Sequence, residues 1–229
     1  MKNLLKASGV INAICLITLI FFAGIQLPSF GMWFYRWQYE VNDTYEVVNM
    51  EPDDLHEVTR HMIRYMQGRE PDLQIMTTIG GEERYFFSEI EIRHMIDVYY
   101  LFAYGLIIQN VLIVLFLLTL ALFLVKGRAQ IRSLFRSWQI GAIAVYAGLL
   151  ALIALIAINW HRAFVIFHEI FFDNDYWILD SRVDLLINIV PYQFFIAISI
   201  FIGAFFAAGL GLLLTGSTLA LRRNSKLSE

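Results

Sequence analysis

Tyr100–Val125 reads YLFAYGLIIQNVLIVLFLLTLALFLV. It contains no Asp, Glu, Lys, Arg or His, and it is longer than the about 20 apolar residues a helix needs to cross a bilayer core. Three further runs share its character: Ala7–Leu27, Trp138–Ile158 and Gln193–Thr215. The chain is 59% hydrophobic with a mean hydropathy of +0.61, more apolar surface than a soluble domain of 229 residues carries. These runs predict an all-α integral membrane protein with four transmembrane helices, a single membrane domain over residues 1–229. None of the four carries an ionisable residue other than Cys15 and tyrosines. Pumps and voltage sensors place charges within the membrane, so the composition counts against ion transport.

Lys and Arg set the expected orientation. Lys2 and Lys6 precede the first run. Lys126, Arg128, Arg132 and Arg136 lie between the second and third with no acid, and Arg222, Arg223 and Lys226 follow the fourth, with Glu229. The two remaining segments, 28–99 and 159–192, hold the other 8 of 17 basic residues and 19 of 20 acidic ones. Both termini are therefore expected in the cytoplasm and both of these segments outside. The first run, after its short basic head, reads as an uncleaved anchor rather than a signal peptide. Cys15 is the one cysteine. It rules out an internal disulfide and a Cys-based zinc site, and its place in an apolar run disfavours a thiolate nucleophile.

The first outer segment opens with Phe30, Trp33, Phe34, Tyr35, Trp37 and Tyr39, which read as an aromatic interfacial belt after a turn at Pro28. Pro52–Met66 reads as a helix. Pro52 starts it, Asp53 and Asp54 suit its N-terminus, and Leu55, Val58, Met62, Tyr65 and Met66 form one apolar stripe. Leu73–Ile79 and Glu82–Phe87 flank Gly80-Gly81 as a β-hairpin. The expected extracellular part is thus a small helix and β-hairpin subdomain. Ser88-Glu89-Ile90-Glu91 is a capping box whose helix runs without a breaker into Tyr100–Val125. The second outer segment predicts an apolar helix over Trp160–Phe172, then a turn at Asp173-Asn174-Asp175. In the last run, Gly203/Ala207 and Ala204/Ala208 are spaced for close helix packing.

All five histidines, His56, His61, His94, His161 and His168, fall in the two outer segments. Imidazole exchanges protons near neutral pH, so this confinement points to proton-transfer chemistry or a metal site at the outer surface. His94 sits about one turn above the bilayer, with Glu91 and Asp97 three residues either side, where a carboxylate can hold its ring and raise its basicity. His168 lies in a greasy run, where a polar side chain has to be satisfied. His56 and His61 read as solvated. A zinc-dependent hydrolase at the outer leaflet is one alternative, with His94, His161 and His168 as three imidazole ligands, although no H-E-x-x-H motif is present. A non-catalytic membrane subunit that docks a partner is another. No P-loop, dinucleotide fingerprint or Gly-x-Ser-x-Gly elbow occurs, and the acidic outer face gives no reason to expect nucleic acid.

Two stretches are more specific. FSEIEIRHMIDV (Phe87–Val98) and FHEIFFDNDYWILDSRVDLLI (Phe167–Ile187) resemble the signature segments of the lipoprotein intramolecular transacylase family, four-span membrane proteins of Gram-positive bacteria. The order of spans and the loop lengths agree over almost the whole chain. The resemblance implies an O-to-N acyltransferase. The sn-2 acyl chain of a lipoprotein's diacylglyceryl-cysteine moves to that cysteine's own α-amino group, giving a lyso-form lipoprotein. It also implies that the family's histidine pair maps onto His94 and His168, with no cofactor or metal, and that the partners are the lipoprotein and membrane lipids. On this reading His94 is the base and His168 the oxyanion and leaving-group partner, with the roles exchangeable. Asp97 or Glu91 orients His94. Trp177 and the interfacial Phe167 and Phe171 bound the acyl chain.

Overall fold

The structure is a computed structural model that describes residues 2–126 and 128–226. Glu229 and the side chains of Lys2, Arg128 and Lys226, counted in the charge balance above, lie outside the described residues. The elements in order are α1 (Lys2–Phe30), α2 (Met32–Val41), α3 (Thr44–Val48), α4 (Pro52–Met66), β1 (Met76–Ile79), β2 (Glu82–Tyr85), α5 (Glu89–Lys126), α6 (Arg128–Ile158), α7 (Trp160–Phe171), α8 (Leu186–Ile189) and α9 (Tyr192–Lys226). Four helices are long and apolar enough to cross a membrane: Leu4–Phe30, Glu89–Lys126, Gln130–Ile158 and Tyr192–Arg223. Each outruns its apolar stretch, because a helix continues as long as no residue breaks it. The turn expected at Pro28 comes instead at Gly31, extended at φ −91° and ψ 104°, and Pro28 lies inside α1.

The chain divides into two compact units. One comprises the residues up to Gly24, Ile107–Trp160 and those from Ile202 onward. Its helices are joined by a few buried polar contacts in an otherwise apolar setting. The Asn12 amide, fully buried, donates to the Phe116 carbonyl (3.0 Å) and to Thr119 Oγ1 (2.8 Å), and accepts from Trp138 Nε1 (2.8 Å). Gln139 Nε2 donates to Thr218 Oγ1 (2.9 Å), and the Tyr146 hydroxyl to the Ala207 carbonyl (3.0 Å). In hydrocarbon such side-chain bonds fix which helix faces meet. The close approach expected at Gly203 is made elsewhere. A methyl group on Gly203 would meet nothing within 4 Å, whereas one on Gly209 would lie 2.5 Å from the Ile20 side chain.

The second unit, Ile25–Leu106 with His161–Phe201, holds every histidine. Its core is unlike a membrane belt. Phe34, Tyr35 and Tyr39, read from sequence as interfacial aromatics, are buried, while Trp33 and Trp37 on the same helix stay exposed. The 3.6-residue period of α2 separates the two sets. The predicted stripe of α4 is wholly buried: Leu55, Val58, Met62, Tyr65 and Met66 pack with Phe34 and Tyr39 into one cluster. Thr59 interrupts that stripe harmlessly, since its hydroxyl donates to the Leu55 carbonyl (2.7 Å) and pairs with the Tyr39 hydroxyl (2.7 Å). β1 and β2 pair antiparallel, with Ile79 opposite Glu82. Gly80 (φ 61°) and Gly81 (φ 86°) make the left-handed two-residue turn that a twisted hairpin requires. The Gly80 N–H donates to the carbonyl of Asn49 (2.8 Å), itself the left-handed residue that ends α3.

Among the described residues Glu91 is the most deeply buried carboxylate of this unit, with no exposed surface, and Asp184 is buried beside it. The capping box forms: the Glu91 carboxylate accepts from the Ser88 N–H, and Ser88 Oγ accepts from the Glu91 N–H (3.4 Å). The second carboxylate oxygen accepts from the N–H of Leu186, 95 residues away. Asp184 completes the network, accepting from the Ser88 hydroxyl (3.0 Å) and the Asp180 N–H (2.8 Å). Two acceptors therefore face two N–H donors, an arrangement that a carboxylate meets and an amide does not. Glu91→Ala is expected to cost about 3 kcal/mol through orphaned buried donors. Glu91→Gln should cost nearly as much, because its NH2 would oppose an N–H. Thermal unfolding in detergent checks both, and a Gln variant as stable as the wild type would contradict this account.

Candidate active site

His94 lies on α5, just over a turn beyond the capping box, and its ring faces α7. The centroids of His94 and His168 are 6.3 Å apart with the rings tilted by 33°. α7 places His168 on its buried side at 5% exposure, while Ile166, Phe167, Ile170 and Phe171 remain exposed. Aromatic rings enclose the pair. Trp177 stacks on His168 at 4.6 Å and 28°, Phe164 packs at 4.2 Å, and Phe172 touches both histidines, at 5.3 Å from His94 and 5.6 Å from His168.

The two imidazoles are held differently. His168 Nδ1 is 2.8 Å from the carbonyl of Phe164, one helical turn back. A carbonyl only accepts, so Nδ1 carries the proton and the neutral ring keeps its lone pair on Nε2. Burial pushes the His168 pKa below the ordinary imidazole value, and the Phe164 bond only partly offsets this. The ring is accordingly a neutral base at pH 7. The Nδ1 atom of His94 is buried and has no hydrogen-bond partner. Buried polar atoms in folded proteins are nearly always paired, so an orphan on a ring beside a second histidine singles out His94 as a candidate for binding a reacting group.

The supporting carboxylates act only in part as the sequence spacing implies. Both share a helical face with His94, but Glu91 is occupied by the Ser88 and Leu186 N–H groups. Asp97 accepts from the Asn174 amide (2.9 Å). Neither is hydrogen-bonded to the His94 ring, although the Asp97 charge favours its protonated form. The other histidines stand apart. His161 is exposed on α7, His56 Nε2 pairs with the Tyr45 hydroxyl (2.9 Å), and His61 Nε2 lies 3.1 Å from the Asp72 carbonyl. His56 is thus tied to a neighbour rather than simply solvated. Among the described residues no three His, Cys, Asp or Glu side chains are grouped to hold a metal ion, so the set His94, His161 and His168 does not converge. Phe164, Phe172 and Asn174 belong to the site although sequence reasoning did not select them. The only signal for Asn174 was its place in a predicted turn, and nothing in the sequence announces its partner 77 positions away.

The model of the family lipoprotein intramolecular transacylase Lit matches residues 10–195. No curated protein matches the chain. Among solved structures, the membrane-integral lipoprotein intramolecular transacylase Lit from Bacillus cereus superposes with a TM-score of 0.81 at 19% identity, covering 99% of this chain and 100% of that one. Variants of that protein with one histidine replaced by arginine or by alanine each superpose at 0.78 and 19% identity, covering 100% and 98% of this chain and 96% and 97% of theirs. At this identity the superpositions carry the fold, a four-helix membrane protein, and the family model carries the rest. The chain belongs to the lipoprotein intramolecular transacylase family, and is an acyltransferase of the membrane rather than a zinc hydrolase or a docking subunit.

Proposed function

We propose that this chain transfers the sn-2 acyl group of a diacylglyceryl-cysteine lipoprotein to the α-amino group of the same cysteine, with His94 and His168 as its acid–base pair. The observation that carries the reading is the apposition of two imidazoles, His168 buried with its tautomer fixed and His94 partly buried with an orphaned nitrogen. The substrate's α-amino group has an ordinary pKa of about 8, so it needs a base as it attacks. The fixed lone pair favours His168 as that base, which exchanges the two roles expected from sequence. The amine nitrogen bonds to the ester carbonyl carbon, and His168 Nε2 takes the nitrogen's proton. His94 donates a hydrogen bond to the oxyanion from Nδ1, the role of a neutral electrophilic imidazole. Collapse breaks the bond to the sn-2 oxygen, which leaves with the proton held by His168. Counted from the neutral amine, no proton is gained or lost overall, and ester-to-amide transfer is downhill.

Amine and ester belong to one molecule, so orienting them supplies much of the acceleration and a protein nucleophile is unnecessary. The rings of Phe164, Phe172 and Trp177 exclude water that would otherwise hydrolyse the ester. The exposed apolar face of α7, with Phe167 and Phe171, suits contact with acyl chains and membrane lipid. The arginines and lysines of the α5–α6 junction and of the C-terminus support cytoplasmic termini, with the histidine pair on the external side of the cell membrane.

Two outcomes are expected. In a host that makes diacylglyceryl lipoproteins but cannot N-acylate them, this chain should place an acyl group on the peptide nitrogen of a reporter lipoprotein. Tandem mass spectrometry of the N-terminal lipopeptide reads the position, since substrate and product are isomers. His94→Ala and His168→Ala should each lower conversion at least about 100-fold, and either variant at wild-type conversion would remove that residue from the mechanism. In the isolated protein, 15N NMR should find His168 neutral at pH 7 as the Nδ1–H tautomer, titrating below about 6.5. The unfolded chain then binds that proton more readily than the native one, so His168's contribution to stability is full above about pH 6.5 and is lost as pH falls towards the native pKa. A midpoint above 6.5, or the opposite tautomer, would contradict the base assignment.

A further inference from the structure

Asp97 and Asn174 form a polar contact whose purpose the acid–base pair does not by itself explain. The Asn174 amide spends its Nδ2 donor on Asp97 (2.9 Å) and its Oδ1 acceptor on the backbone N–H of Tyr176 (3.0 Å), which closes a tight Asx turn. Trp177, the next residue, stacks on His168. The segment between α7 and α8 has little regular structure to hold it: Phe172–Leu185 contains no helix or strand. On its surface, the exposed Arg93 meets the half-buried Tyr176 ring at 5.6 Å, donates a long hydrogen bond to its hydroxyl (3.4 Å) and pairs with the exposed Glu89, solvent-facing contacts that hold little. The Asp97–Asn174 bond is half-buried, charge-assisted and anchored on α5, a helix already fixed by its capping box.

We propose that Asp97 and Asn174 are positioning residues. They form a clasp from α5 that sets the Asx turn, holds the Trp177 ring over His168, and so keeps the base facing His94. This rests on the acid–base reading above and extends it to residues that touch no reacting atom. Asp97 works here as a hydrogen-bond acceptor for Asn174. Its charge also reaches the His94 ring, as its sequence position implies. The two roles separate chemically, because asparagine at position 97 still offers an acceptor oxygen to the Asn174 amide but carries no charge.

The test compares Asp97→Ala, Asp97→Asn, Asn174→Ala and the reciprocal exchange Asp97→Asn with Asn174→Asp, in which the donor and acceptor change places. Full-length protein is assayed with a diacylglyceryl lipopeptide in lipid, alongside the His168 Cε1–H resonance, which a stacked indole moves upfield. Asp97→Ala and Asn174→Ala should each slow turnover about tenfold and move that resonance downfield. Their combination should be no slower than either alone. Asp97→Asn and the exchanged pair should stay within about threefold of wild type, with the resonance unmoved. If Asp97→Ala does not fold, Asn174→Ala and the exchanged pair carry the comparison. Asp97→Asn as slow as Asp97→Ala would overturn the clasp in favour of a charge effect. A resonance indifferent to Asp97→Ala and Asn174→Ala would overturn it outright. His168→Ala serves as the control: wild-type turnover there would sink the acid–base reading instead, whatever the clasp variants do.

Discussion

The buried carboxylate of Glu91 is the constraint on which the histidine-bearing unit depends. A charge without exposed surface survives only with full hydrogen bonding, and Glu91 obtains it by drawing together the start of α5 and the N–H of Leu186. Those groups are far apart in the chain, so the bond, together with that of Ser88 to Asp184, marks the register between the two segments. Once α5 starts at a fixed point, His94 emerges at a fixed height and angle. Once Leu186 is held, the stretch that leads back to Trp177 has a fixed end. The stability of this unit and the geometry of its site are therefore coupled through one side chain.

In the proposed mechanism, the pair it helps to frame divides its labour by surroundings. Both imidazoles are enclosed by aromatic rings, yet only His168 has a backbone carbonyl to settle its tautomer. His94 keeps a buried nitrogen without a hydrogen-bond partner. A polar atom without a partner is a cost to folding, and enzymes carry such costs where a substrate or transition state supplies the missing partner. For an intramolecular transfer this economy is sufficient. The reacting groups arrive together, the reaction runs downhill, and the protein has to orient them, move one proton and keep water away.

The fold was largely legible from sequence because its signals are local. Uncharged runs marked the four long helices, the stripe Leu55, Val58, Met62, Tyr65 and Met66 marked α4, and Gly80-Gly81 marked the hairpin turn. The capping box was legible for the same reason. What escaped was long-range. Phe34, Tyr35 and Tyr39 have the composition of a membrane interface, and only the tertiary core distinguishes them from Trp33 and Trp37. Helical spacing placed Glu91 and Asp97 beside His94, but a carboxylate bonds the donor that reaches it, and the donors here come from Leu186 and Asn174. His161 lies on the same face of α7 as His168, seven residues earlier, yet stays exposed, because it sits two turns away at the start of the helix. Helical period constrains which residues are neighbours on one element. It carries no information about the element that packs across.

Intramolecular transfer is the central claim, and an isotope crossover experiment tests it most directly. Two lipopeptide substrates are mixed in one membrane with the enzyme, one with deuterated acyl chains on an unlabelled peptide, the other with unlabelled chains on a 15N-labelled peptide. Fragmentation of the products shows which chain reached which nitrogen. The account predicts N-acylated product in which each nitrogen carries the chain from its own glyceryl group, with no mixed species. Mixed products would mean that the acyl group passes between molecules, and two histidines placed to serve one substrate at a time would not explain the reaction.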